Sequence, residues 1–428
     1  MIVWYNLSMG EAEMRRVFQA GGAIPPDSPT YVEREADGLA LLRVRQMEYV
    51  HIVVARQMGK TCLLHRLATR LEPEGYLPVR IDLSRLAGME MGQWYKALGS
   101  AIVGQMASDT ESSIVDQDSL YKFFIKIAQR RNLSYPIIVT LDEIDSTRLL
   151  DFSDGFFSTL RALYNDRADE PALREITFVM VGATDPRHLI KDPGLSPFNV
   201  GQEVRLEEFT PAETRRLTDN LDLAGIGASD DVHQRIYWWT SGQPYLTQKV
   251  CATLEDWRVR RGIKQATVAL VDQAVQEGVL SAKANDSNLS HIRARLDEPE
   301  TFMAKALLRR IFAGERIRFE PHGGADGHLA ELYLIGVIKE GPEGNCVIRN
   351  RIYQEALKGF LAREVEMAAM DVDDLRKQLA IHRKNLSRLE ESKARYGLDV
   401  PLKLLNEIDL GREEIDRLER VLKELGHG

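Results

Sequence analysis

Cysteine is scarce in this sequence, and no stretch of it stays apolar for long. The three cysteines, Cys62, Cys251 and Cys346, lie far apart and form no CxxC pair. That excludes a disulfide framework and a thiolate zinc site, and it fits a reducing compartment. Nowhere do about 18 apolar residues run together, so no membrane helix is expected. The opening MIVWYNLSMGEAEMRR has no basic stretch followed by a long apolar run. No secretory signal is therefore expected, and a cytoplasmic location is. Basic charge is not in excess: 56 Lys and Arg stand against 64 Asp and Glu, a net charge of −8. This excludes coating of nucleic acid by bulk charge and leaves room only for a local basic patch. No histidine pair has metal-ligand spacing and no GxSxG occurs, so neither a zinc nor a serine hydrolase signature is present.

What is present is the make-up of a folded chain, 44% hydrophobic and 28% charged over 428 residues, long enough for two to four domains. After a helix and a turn-rich approach (GGAIPPDSPTYVEREAD), a short apolar run at Tyr49–Val54 leads into ARQMGKT and then into the helical pattern CLLHRLATRLE. The order is strand, loop, helix. Further strands are expected at Leu77–Leu83, Ile137–Leu141, Ile176–Gly182 and Glu203–Leu206, with helices between them. Apolar strands alternating with helices predict a five-stranded parallel sheet covered on both faces, an α/β fold.

The loop carries the first chemistry. Backbone N–H groups of a loop entering a helix can cradle phosphates. In that reading Arg56, Gln57, Met58, Gly59, Lys60, Thr61 and Cys62 form the phosphate-contacting run. Lys60 reaches the β- and γ-phosphates of ATP, or the β-phosphate of ADP, and the Thr61 hydroxyl coordinates Mg²⁺. The GxxxxGK[ST] pattern has one defect, Val54 at the first glycine position. The second signal is the strand Ile137–Leu141 ending in Asp142-Glu143. Asp142 suits a carboxylate facing Mg²⁺ and Glu143 suits a base for the attacking water. Helix capping would also place acids there. Thr184, at the end of the strand expected between these two, is a sensor candidate or a capping threonine.

From Thr210 the pattern becomes helical, with Thr210 as N-cap, Pro211 at the first helical position and Glu213 at the capping-box position. Helices run to about 285. Residues 286–362 mix helices with an expected hairpin, LYLIGVIKE, GPEG and NCVIRN, which reads as a winged helix. The tail is a charged heptad pattern. Leu404, Ile408, Gly411, Ile415, Leu418, Leu422 and Leu425 form one seam, and Leu375, Leu379, Leu386 and Leu389 another. Residues 396–401 interrupt them, so the tail is expected to be an antiparallel helical hairpin. Its seam either packs on its own chain or pairs with a like hairpin. The domains expected are thus 1–209, 210–285, 286–362 and 363–428.

Five separated stretches now resemble one group. TYVEREAD at 30–37, RQMGKT at 56–61, LDEID at 141–145, SPFNVG at 196–201 and GQPYL at 242–246 are similar to the bacterial AAA-like domain of STAND signal-transduction ATPases, over about 20–360. The resemblance implies that Tyr31, Val32 and Arg34 pack on adenine and that Pro244 closes the base pocket from a helical lid. Gln243 departs from the glycine or histidine usual in that lid. Members often lack the first loop glycine, as here. Arg187, Arg215 and Arg216 are the arginine-finger candidates. The tail resembles short hairpin modules found beside such NTPases.

The function expected is a slowly hydrolysing ATPase switch that couples nucleotide state to self-association or to an effector held by the hairpin. Two alternatives stand beside it. One is a DNA-acting ATPase contacting phosphates through Arg316–Phe319 and Arg349–Arg351. The other is a non-hydrolysing, nucleotide-bound adaptor.

Overall fold

The computed structural model of the chain describes residues 16–106, 114–130, 135–190, 192–298, 301–320 and 327–396, and eight single positions between 404 and 422. Two compact units result, the first ending at Gln354 and the second beginning at Glu355.

The first unit is built on a parallel sheet in the order β2-β3-β4-β1-β5. The strands are β1 (Val50–Val53), β2 (Leu77–Asp82), β3 (Ile137–Asp142), β4 (Ile176–Gly182) and β5 (Gln202–Glu203). Four of them fall where the apolar runs predict. β3 and β4 are buried along their whole length, as central parallel strands must be. Side chains alternate between faces with a period of two. Ile137, Val139, Leu141, Phe178 and Met180 therefore pack under α3 (Met91–Gln105), α4 (Gln117–Ala128) and α5 (Ser153–Asn165). Ile138, Val179 and Val181 face α1 (Glu35–Arg45) and α2 (Lys60–Leu71).

The fifth strand is shorter than the expected Glu203–Leu206. Its ladder with β1 covers only Gln202 and Glu203. Val204 still donates to the His51 carbonyl at 3.0 Å, but the chain then leaves the sheet. Val204 and Leu206 spend their side chains in the core rather than in a longer edge.

Helices α6 (Pro211–Thr218), α7 (Asp230–Thr240), α8 (Pro244–Arg261) and α9 (Val268–Val275) follow. The expected capping box starts α6: the Thr210 hydroxyl accepts from the Glu213 N–H at 3.2 Å, and the Glu213 carboxylate accepts from the Thr210 N–H at 2.8 Å. Next come α10 (Ser287–Leu296), α11 (Phe302–Phe312), α12 (His328–Ile335) and the antiparallel pair β6 (Ile338–Glu340) and β7 (Cys346–Ile348), the layout of a winged helix. The expected first strand was too long. Leu332–Ile335 is helical, and Gly336 at φ 96° ends α12 before β6 begins.

Helix α13 (Arg351–Tyr396) starts in the first unit and supplies most of the described residues of the second. There Leu379 packs with Ile415, Leu418 and Leu422, with Leu386 beside them. Arg383 bonds Glu419 at 2.6 Å and Arg412 bonds Glu390 at 2.8 Å. As one index rises the other falls, so the two runs are antiparallel, as the heptad pattern predicts. These five seam residues pack on one another inside the hairpin. Gly411, Leu425 and the turn at 397–401 lie outside the described residues, as do the side chains of Leu375 and Phe302. Among the described residues, no helix is long and apolar enough to cross a membrane.

Candidate functional site

The C-terminal ends of β1 and β3 open into a cavity of about 510 Å³, within the roughly 300–1,000 Å³ usual for small-molecule sites. Gly59 ends the loop at φ 89° and leads into α2. That angle favours glycine, and a Cβ there would stand 2.9 Å from the Arg34 guanidinium, which would have to shift. Lys60 is buried, and its ammonium donates to the carbonyls of Val54 at 3.0 Å and Ala55 at 3.1 Å. Burial pushes its pKa down, while Glu143, Asp145 and Asp142 oppose that. It is a cation held at the cavity floor by dipoles.

Across the floor, the Thr61 hydroxyl donates to Asp142 at 2.7 Å. The second Asp142 oxygen accepts from the Glu143 N–H at 3.0 Å. Burial still raises Asp142 above the ordinary carboxylate range, more than these bonds lower it. Glu143 sits in the left-handed region at φ 53°, a conformation that costs a non-glycine residue about 1–3 kcal/mol and clusters at active sites. Its pKa is raised first by burial and then by Asp145, and is pulled back by Lys60 and Arg56. The Arg56 guanidinium is 3.7 Å from Glu143 and 3.9 Å from Asp145.

The upper walls come from elsewhere. Tyr31, Val32 and Arg34 line the cavity on one side and Pro244 on the other. The Tyr31 hydroxyl is committed to Asp37, so what it offers a ligand is its ring. Arg34 donates to the Met58 carbonyl at 2.9 Å and the Glu207 carbonyl at 3.1 Å, which ties the approach segment to the loop. Gln243 caps α8 through the Leu246 N–H at 2.6 Å and donates to the Gln57 carbonyl at 3.2 Å. This residue, unusual for the resemblance, joins the helical region to the loop. Gly242 before it lies so close to Phe209 that a Cβ would meet its carbonyl oxygen at 1.9 Å.

Most of the residues picked from the sequence thus share one cavity: Tyr31, Val32, Arg34, Arg56, Gln57, Gly59 to Cys62, Asp142, Glu143 and Pro244. Two do not line it. Met58 is buried below the loop and contributes its carbonyl. Thr184 faces a neighbouring cavity of about 240 Å³ with Asp145, Asp185 and His291. His291 there is pushed down to about 4 by burial and by Arg56 and Arg295. Arg56 lines both cavities, and Asp145 joins the strand ends by accepting from the Ala183 N–H at 3.0 Å. Of the finger candidates, Arg187 is paired with Asp185 and Arg215 with Asp219 and Asp230. Arg216 lies 3.7 Å from Glu213.

Sequence reasoning missed part of the lining. Gln19, Gly21, Gly22, Ala23 and Ile24 form a wall, and Gln248 faces it from α8. The paired glycines at 21–22 were the available signal for the first. For Gln248 it was the four-residue step from Pro244, which places both on one helix face.

Compared with known proteins, residues 19–355 match the sequence pattern of the AAA-like domain family. An uncharacterized WD repeat-containing protein of Synechocystis is 30% identical over 292 residues, which is 64% of this chain and 24% of that protein. The chain therefore spans about a quarter of this curated relative. Among solved structures, the fold resembles a Walker-type ATPase of Pyrococcus abyssi, with a TM-score of 0.51 and 14% identity over 80% of this chain and all of that one. The ORC2 protein of Aeropyrum pernix, solved in ADPNP–ADP complexes, gives a TM-score of 0.47 and 16% identity over 83% of this chain and 99% of that one.

Proposed function

This chain belongs to the AAA-like domain family, and from that premise we propose that it is an ATP-binding, slowly hydrolysing switch of the STAND kind. The observation that carries the reading is the convergence of Lys60, Thr61, Asp142 and Glu143 on the floor of one nucleotide-sized cavity. Lys60 supplies the buried cation for the β- and γ-phosphates, and the loop and first turn of α2 supply backbone N–H groups. Tyr31, Val32 and Pro244 give the apolar walls for a base.

The residues fit Mg²⁺. Thr61 and Asp142 present a hydroxyl and a carboxylate 2.7 Å apart at the cavity. Mg²⁺ takes oxygen ligands, usually one or two from protein, with phosphates and water completing the shell. When bound it neutralises phosphate charge. Glu143 takes the proton of an attacking water in this reading, and burial, which raises its pKa, makes it a stronger base. Val54, bulky where the phosphate-loop pattern has glycine, supports slow basal turnover.

In this reading α6–α9 act as the lid of residues 210–285, and the helices and hairpin of 286–362 move with it. The tail of 363–428 recruits a second copy or a protein effector. Because Leu379, Ile415, Leu418 and Leu422 cover one another, recruitment uses the outer faces of that part of the hairpin. The DNA-acting alternative has less support. Arg349 is 2% exposed and donates to Glu208 at 2.7 Å and to the Ile338 carbonyl at 2.9 Å, so it is not offered to phosphate. The test is the mass of the purified protein in solution with ADP and with an ATP analogue. A switch changes its assembly state or effector binding between the two, and identical behaviour with both rejects it.

A further inference from the structure

One wall of the cavity precedes every nucleotide motif. Residues 16–24 have no regular secondary structure, so their backbone N–H groups need partners from outside the segment. Those partners come from α8. The Glu255 carboxylate accepts from the Val17 N–H at 2.8 Å with one oxygen and from the Phe18 N–H at 3.0 Å with the other. The Gln248 side-chain oxygen accepts from the Gln19 N–H at 3.4 Å. Arg16 pairs with Asp256 at 2.8 Å, and the Phe18 side chain is 1% exposed.

The far end is held separately. The Ile24 N–H donates to the Cys62 Sγ at 3.3 Å, and Arg66 donates to the Pro26 carbonyl at 2.8 Å. Between the two anchorages lie Gly21 and Gly22, at φ 101° and 71°. The Gln19 amide closes this turn by donating to the Gly21 and Ala23 carbonyls. The segment is thus fixed at both ends and jointed in the middle, where glycine alone adopts such angles freely.

Helix α8 serves both sides. Its first turns line the cavity with Pro244, Tyr245 and Gln248. Glu255 is seven residues beyond Gln248, two turns along the same face. The Gln248 amide also donates to the Thr30 carbonyl at 3.3 Å, just before Tyr31 and Val32. One side chain therefore joins the strap, the base-facing segment and the helix.

We propose that residues 16–24 form a strap over the nucleotide cavity, that Glu255 and Gln248 of α8 are the positioning residues that hold it shut, and that nucleotide leaves only when these ties are undone. This rests on the nucleotide reading above. A buried carboxylate accepting two backbone N–H groups makes charge-assisted bonds that are stronger than neutral ones. The strap opens as a local unit at a cost set by those bonds, and such openings commonly limit product release. Movement of α8 then pulls on the strap and the base-facing segment together.

The test uses the full chain loaded with a fluorescent ADP and chased with excess unlabelled ADP in a stopped-flow instrument. Glu255→Ala and Phe18→Ala loosen the same anchorage from opposite sides. Each is expected to speed ADP release at least about tenfold. The double variant is expected to add little, because both changes undo one element. Glu255→Gln, which keeps one acceptor, falls between wild type and Glu255→Ala, and with Phe18→Ala it carries the test if Glu255→Ala does not fold. Release within about twofold of wild type from folded variants overturns the strap and leaves the nucleotide reading standing. Failure of the wild type to bind the labelled ADP overturns both.

Discussion

The Thr61 hydroxyl bonds the Asp142 carboxylate across 2.7 Å, joining the first turn of α2 to the end of β3. In the function proposed above, these two oxygen groups hold Mg²⁺. Asp142→Asn removes the charge and keeps the shape. It should weaken ATP binding about tenfold or more in the presence of Mg²⁺ and leave binding in excess chelator unchanged. Titrations of both proteins in both buffers decide it. Equal losses with and without Mg²⁺ would show that Asp142 acts on the fold and not on the ion.

Glu143→Gln should keep ATP bound and slow turnover by roughly 10²–10⁴-fold, the usual cost of losing a general base. The pH profile gives a sharper check. A base works only when deprotonated, and burial and Asp145 hold the Glu143 pKa up. Activity should therefore fall on acidification with a midpoint above the ordinary glutamate range. Asp145→Asn removes a like charge and should move that midpoint to lower pH. Arg56→Ala removes an opposing cation and should move it higher. Shifts in the reverse directions would mean that another group titrates.

Gly242→Ala places a methyl group against the Phe209 carbonyl, in a residue already at φ 77°. The backbone on one side has to move, at a cost of about 1–3 kcal/mol or more. Thermal unfolding should shift down by several degrees. An unchanged melting curve would mean that the Phe209–Gly242 approach is looser than described.

Leu418 is 1% exposed in the seam of the hairpin. Leu418→Ala should cost that hairpin about 2–5 kcal/mol, enough to make a small two-helix unit sensitive to protease. Nucleotide affinity should stay as in the wild type. Deleting residues 371–428 should likewise spare nucleotide binding and abolish ATP-dependent assembly. Faster assembly or hydrolysis on deletion would instead make the tail a restraint.

The parts legible in the sequence were those with a local physical signature. Ile137–Asp142 and Ile176–Gly182 are central strands, so burial on both faces wrote continuous apolar runs. Lys60 and Thr61 follow a strand and open a helix, so chemistry and chain direction agreed. Leu332–Ile335 was misread because a short apolar run suits a strand and a helix equally, and Gly336 decides between them only through its backbone angle. Thr184 is a sensor candidate in the sequence. The strand it follows does lie between β1 and β3, but the side chain faces the adjoining cavity, which no spacing rule reveals. The strap at 16–24 has no period to read. Its partners on α8 are more than 220 residues away in sequence, and only the fold brings them together.

The account stands on Lys60, the buried ammonium that the proposal assigns to the phosphates. Isothermal titration of ATP with Mg²⁺ into wild type and Lys60→Ala tests it most directly. Losing a buried charged contact costs about 2–5 kcal/mol, so the variant should bind at least about 30-fold more weakly while remaining folded by circular dichroism. Equal affinity of the two proteins for ATP would contradict the account.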